Sequence, residues 1–209
     1  MTVKVLYLRP VVLPAQGAEI LQLCQGLEEL TLQIVVNAPR DQNPLSGPFS
    51  ALEQLKILSL DLASIFYGPT IFLPDLHRLC CIERLHLTNT WVARRGLFIG
   101  LQDLQQLSHL SFHVRPPGQQ SMHIEILSKV LKHFSRLWVV VLWRMEYQQS
   151  EEIYNDLGQR NLTDHRVVVF NATHFAECAT PVNRFWELAE SVVQWREANH
   201  GMFCILLVA

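Results

Sequence analysis

Ile82-Glu83-Arg84-Leu85-His86-Leu87 carries large aliphatic side chains at its first, fourth and sixth positions and polar ones between them. The same spacing returns at Val3/Leu6/Leu8, Leu27/Leu30/Leu32, Leu55/Leu58/Leu60, Leu107/Leu110/Phe112 and Leu137/Val140/Leu142, with a weaker copy at His165/Val168/Phe170. Successive first positions are separated by 24, 28, 27, 25, 30 and 28 residues. Self-similarity at that period is the mark of a solenoid. In an extended segment successive side chains point to opposite faces, so Leu85 and Leu87 share one face while Arg84, His86 and Thr88 share the other. No single segment can bury its leucines alone. Stacking the segments about 4.8 Å apart, each joined to the next by a return, lets them bury a common core as parallel strands.

The stretches between copies have room for those returns. Residues 15–25 hold Ile20, Leu21 and Leu23, with Gly26 placed to end a helix. Pro39, Asn43, Pro44, Gly47 and Pro48 predict a surface loop over 37–51 that leads into a short helix near 49–54. A helix is expected over 72–81, starting near Pro74 and packing Leu73, Leu76, Leu79 and Cys80. A weaker one is expected over 97–106. Pro116, Pro117 and Gly118 break the chain before a clear helix over 122–134, with Ser121 as its cap. There Ile124, Leu127, Leu131 and Phe134 form the apolar stripe, and Lys129 and Lys132 lie off it. A further helix falls near 150–158. Thr180-Pro181 then starts a last helix to residue 198, with Phe185, Leu188, Ala189 and Val192 on one face and Arg184, Glu187, Glu190, Arg196 and Glu197 on the others. That is the composition of a C-terminal cap, apolar toward the last repeat and charged toward water. Val3 opens directly on a repeat strand with no polar cap before it, which suggests that an N-terminal portion is missing.

Composition narrows the function. Of 209 residues, 49% are hydrophobic and 17% charged, which supplies a core and argues against general disorder. A net charge of −2 argues against a dedicated nucleic-acid or anionic-membrane surface, which would need clustered Lys and Arg, and no apolar run reaches membrane-spanning length. Cys24, Cys80, Cys81, Cys178 and Cys204 are odd in number and contain no C-x-x-C. They read as reduced thiols used as small hydrophobes in a cytoplasmic or nuclear protein. Asn161 and Asn171 stand in sequons, but no secretory signal precedes them.

The L-x-x-L-x-L copies at this spacing resemble the leucine-rich repeat. Their irregular lengths, together with the segment Leu55–Leu62, the Leu107–Phe112 copy and the closing Phe185-Trp186-Glu187-Leu188-Ala189-Glu190, resemble fungal F-box-type proteins with degenerate repeats. The resemblance implies a substrate-recruiting role beside a ubiquitin-ligase adaptor, although no F-box precedes the repeats. The asparagine usual at the ninth motif position is replaced by Val35, Ala63, Thr90, Arg115 and Met145, so its hydrogen-bond ladder is absent.

No nucleophile elbow, phosphate-binding loop or dinucleotide fingerprint is present. Glu28/Glu29 and Glu151/Glu152 read as solvated surface. His109 and His113 would be a helical metal pair, but on a strand they stand about 13 Å apart. His86 and His109 are diagonal neighbours roughly 7–8 Å apart with nothing to complete a site. No cofactor is expected. The expected fold is α/β: a short, irregular leucine-rich-repeat horseshoe with a concave parallel sheet and convex helical returns. Residues 1–178 form about seven repeats, and 179–209 the capping helix and apolar tail. The expected function is non-enzymatic binding of a protein partner, by a monomer, with no nucleic acid or membrane involved. The partner face comprises Glu29, Thr31, Asp61, Arg84, His86, His109, Ser111, His113, Val139, Val141 and Trp143, an aromatic beside Arg and His being the make-up of a recognition hot spot. Against this, Trp138, Val139, Val141 and Trp143 also fit a strand buried on both faces under a loop or the tail. A small α/β hydrolase or transferase, and a truncated product without a role, are the other readings.

Overall fold

The motif leucines do what their spacing requires. In a computed structural model describing residues 3–36, 42–65, 80–88, 101, 104–114, 121–144, 155, 157–159, 162–171 and 183–199, the chain divides into two compact units, Met1–Ser108 and His109–Ala209. Both are α/β, and every strand pair described is parallel.

The first unit contains β1 (Val5–Leu8), α1 (Pro14–Leu23), β2 (Glu29–Leu32), α2 (Ser46–Ser50), β3 (Ile57–Asp61), α3 (Leu62–Ile65) and β4 (Arg84–Thr88). Leu6, Leu30, Leu58 and Leu85 fall side by side, and so do Leu8, Leu32, Leu60 and Leu87. All are buried except Leu6, which is half-buried, and the first-position residues Leu27, Leu55 and Ile82 are buried with them. At about 1.5–3 kcal/mol for each large aliphatic side chain removed from water, these rows are the main stabilising term of the unit. The ladder continues one residue ahead of the strands: the amides of Glu28, Lys56, Glu83 and Ser108 donate to the carbonyls of Lys4, Glu28, Lys56 and Glu83, all within the first unit.

Pro14 opens α1, and the Gln16 side chain accepts the Leu13 amide. Gly17, Ala18 and Leu21 are its buried residues, whereas Leu23 is exposed and Ile20 only half-buried. Gly17 lets the helix seat closely on the Ile34 side chain just past β2, since a Cβ there would lie 2.5 Å from Ile34 Cδ1. Asn43, within the expected loop, is buried. Its Nδ2 donates to the carbonyls of Ser64 (2.9 Å) and Ile65 (3.3 Å), and its Oδ1 accepts the Leu45 amide. One asparagine from outside the motif thus satisfies carbonyls of α3 beside motif position nine, Ala63.

The second unit contains β5 (His109–Val114), α4 (Ser121–His133), β6 (Val139–Arg144), β7 (Val167–Asn171) and α5 (Asn183–Ala198). Leu110 pairs with Val140 and Phe112 with Leu142, as the motif predicts. The seventh copy does not follow. Val140 pairs with Val167 and Leu142 with Val169, so Val168 and Phe170 fall on the opposite face, beside Val141 and Trp143. Residues 167–170 are buried on both faces, and a strand of that kind carries no alternation from which to read its register.

Arg166, just ahead of β7, fixes the observed register. It grips Asp164 with two contacts of 2.9 and 2.7 Å and donates to the carbonyls of Leu137 (3.1 Å) and Leu131 (3.3 Å). Burial pushes the Asp164 carboxyl up, but its hydrogen bonds from Arg166 outweigh this and hold it below the usual range.

The α4 stripe is rotated from expectation: Ile126, Leu127 and Val130 are buried, and Leu131 and Phe134 only half-buried. No helix among the described residues is long and apolar enough to cross a membrane. The expected helical stretches 72–79 and 97–100, the break at Pro116, Pro117 and Gly118, the start at Pro181 and the apolar tail lie outside the described residues.

Candidate functional site: the outward strand faces

Alternation along the first unit's strands places Val5, Tyr7, Glu29, Thr31, Ile57, Ser59, Asp61, Arg84, His86 and Thr88 on the face away from the leucines. The strand register makes Tyr7, Thr31, Ser59 and His86 a single cross-strand row. Thr31, Ser59 and His86 are buried, as is Glu29, whose Oε1 accepts the Tyr7 hydroxyl at 2.8 Å. In the flanking rows Ile57 and Arg84, on one side, and Asp61 and Thr88, on the other, are half-buried, and Val5 and Tyr7 on β1 are exposed.

A second row lies one residue ahead of the strands. Lys4 Nζ stands 2.6 Å from Glu28 Oε1, and Lys56 Nζ 3.4 Å from Glu28 Oε2. The Lys4 hydrogen bond and charge, followed by those of Lys56, hold the Glu28 carboxyl below its usual range.

The second unit treats the equivalent face differently. His109, Ser111 and His113 pair with Val139, Val141 and Trp143, and Trp143 with Phe170. Across them lies α5, packed on β6 and β7. It buries Phe185, Trp186, Ala189, Val192, Val193 and Arg196, while Leu188 and Trp195 are 39% and 41% exposed. The sequence had assigned Leu188 to the apolar face and Arg196 to water. Arg196 is instead fully buried, because the backbone beneath it presents carbonyls: Nη1 donates to Val167 O (2.6 Å) and to His165 O (3.3 Å).

The contacts under α5 are aromatic and dense. Trp143 meets Phe170 and Phe185, each at 5.4 Å between ring centroids, and its indole N–H donates to Ser111 Oγ at 2.7 Å. His109 lies edge-on to Trp138 (5.6 Å) and Trp186 (5.4 Å), with Nε2 at 3.0 Å from Glu190 Oε1, a contact that is an ion pair only when the imidazole is protonated. Near the other end of the helix, His165 Nε2 lies 3.4 Å from Glu197 Oε1. His113 stacks on Trp143 at 6.3 Å, and burial lowers its imidazole to about 4.

No protein-family model, curated protein or solved structure matches this chain.

The expected partner face therefore has two fates. Glu29, Thr31, Asp61, Arg84 and His86 lie together on the first unit's polar face, with Asp61 and Arg84 reaching solvent. His109, Ser111, Val139, Val141 and Trp143 are buried, and His113 nearly so, on a face occupied by α5. Val139, Val141 and Trp143 are thus buried on both faces, as the alternative reading had it, but Trp138 is half-buried and the cover is the C-terminal helix rather than a loop or the tail. Ser111 is fully buried and held by Trp143, so a substrate could not reach its hydroxyl. Among the described residues, no three or more His, Cys, Asp or Glu side chains group to hold a metal.

Sequence reasoning missed two features. Tyr7 completes the polar row from β1, where the alternation Val5/Tyr7 already placed it. Cys80 and Cys81, expected inside a packed helix, are exposed in the turn before Ile82, with their sulfurs 4.0 Å apart. The Cys80 hydrogen bond, then burial, push the Cys81 thiol up. No local signal in the sequence separates this turn from the end of a helix, since adjacent residues can share an apolar helical face.

Proposed function

We propose that this chain is a non-enzymatic, leucine-rich-repeat-like module that binds a protein partner through the outward face of its first unit. One observation carries the reading. The in-register leucines hold Tyr7, Asp61 and Arg84 at fixed places on a single strand face, at least partly open to solvent. A phenol, a carboxylate and a guanidinium positioned by rigid strands are what a specific, polar protein contact needs, and Tyr and Arg are enriched among residues that dominate binding energy. The F-box resemblance adds a proposed role for the partner, as a substrate presented to a ubiquitin ligase whose adaptor-binding module lies elsewhere.

Affinity capture with the full chain tests this when paired with a charge-reversed variant, Asp61→Arg/Arg84→Glu. Loss of the captured protein by about tenfold or more, roughly 1.4 kcal/mol, with an unchanged melting temperature supports the reading. Equal capture by both proteins overturns it.

A further inference from the structure

Cys80 and Cys81 are the exposed thiols among the described residues, and they stand together in one turn. Their sulfurs are 4.0 Å apart and share a hydrogen bond. Two outcomes compete for such a pair. A disulfide would join residues whose α-carbons are held about 3.8 Å apart by the peptide link. Unstrained disulfides take α-carbon separations of roughly 4.4–6.8 Å, so closing this one would store strain and leave it easily reduced. A single soft centre fits without closing the pair: with metal–sulfur bonds of about 2.3 Å, sulfurs at the observed separation subtend an angle of about 120° at the metal.

We propose that Cys80 and Cys81 form a vicinal-dithiol site that chelates one thiophilic cation of the Cu(I) class. The angle is that of a three-coordinate centre, whose third position water or a small thiol would fill. Protein Zn(II) sites take four side-chain ligands when structural and three plus water when catalytic, and among the described residues no third His, Cys, Asp or Glu joins the pair. Soft thiolates favour Cu(I), which accepts low coordination. Binding forms two metal–sulfur bonds, releases both thiol protons to solvent and changes no oxidation state. The product carries one negative charge, at a site open to solvent.

The site is independent of the partner face and is tested on the full chain. Under anaerobic, reducing conditions the protein is titrated with Cu(I) against a chromophoric Cu(I) chelator, and thiol protection is read by alkylation and mass spectrometry. The expected result is about one tightly held Cu(I) per chain, with both Cys80 and Cys81 shielded from alkylation. Cys80→Ser and Cys81→Ser should each weaken binding at least tenfold. Cys24→Ser/Cys178→Ser/Cys204→Ser should retain it. Three results would overturn the proposal: the same tight Cu(I) in the Cys80→Ser/Cys81→Ser protein, single variants that bind within twofold of the parent, or displacement of Cu(I) by an equal concentration of Zn(II). Because both thiols are exposed, serine should leave the melting temperature unchanged, which separates lost chelation from lost folding.

Discussion

The two units use one inward code and two outward ones. Leu30, Leu58 and Leu85 in the first unit, and Leu110 and Val140 in the second, occupy the same motif position and are equally buried. The difference lies between them. The first unit intersperses Glu29, Thr31, Ser59, Asp61, Arg84 and His86, of which Glu29 accepts the Tyr7 hydroxyl from the neighbouring strand and Asp61 and Arg84 reach water. The second intersperses Val139, Val141, Val168, Phe170 and Trp143, a surface too apolar to leave wet, and α5 covers it. A repeat whose outward residues turn apolar ceases to offer a binding face and becomes the middle layer of a three-layer core.

Removing the cover should break the contrast most sharply. Trp186→Ala deletes a fully buried indole that touches Phe185 and His109, and should cost about 3–5 kcal/mol in denaturant unfolding followed through the second unit. A loss under about 1 kcal/mol would show that α5 is an accessory rather than part of that core.

Acid sharpens the comparison next. The imidazole of His113 is lowered from 6.5 to about 4 in the folded state, so between those values the unfolded chain binds the proton that the fold refuses. Stability should therefore be complete above pH 6.5 and fall as pH drops toward 4, by up to about 3 kcal/mol from this group alone. In His113→Phe that slope should flatten. Chemical denaturation at a series of pH values reads the difference, and parallel curves for the two proteins would remove the assignment.

The smallest effect belongs to the first unit's surface. Glu28→Gln removes the carboxylate shared by Lys4 and Lys56 at a fully solvent-screened site. The melting temperature should drop slightly at low salt and not at all at high salt. A drop that persists in high salt would mean that the row is not acting through charge.

The inward half of this architecture was legible because leucines at a period near 27 residues leave few ways to be buried. The parallel pairing and the register of Leu6, Leu30, Leu58 and Leu85 follow from it. Legibility failed wherever a segment is apolar on two faces. Val167–Phe170 offered no alternation, and its register was set by Arg166 instead. The face of α5 was misjudged because Arg196 looked like a surface residue until carbonyls beneath it were known, and Trp186 and Val193 outweigh Leu188 in burial. The polar half of the candidate site could be read as the residues between the leucines. Its extent could not, since nothing local in His109–His113 says that a helix some seventy residues later will lie across it.

The charges just ahead of the strands have one further consequence. Lys4, Glu28, Lys56 and Glu83 alternate in sign along consecutive segments joined through their backbones. During refolding, near-identical segments can associate out of turn. Correct neighbours bring unlike charges together, whereas leaving out one segment would set lysine against lysine or glutamate against glutamate. The alternation would bias assembly at low salt toward adjacent over next-but-one segments, a distinction the leucines alone do not make.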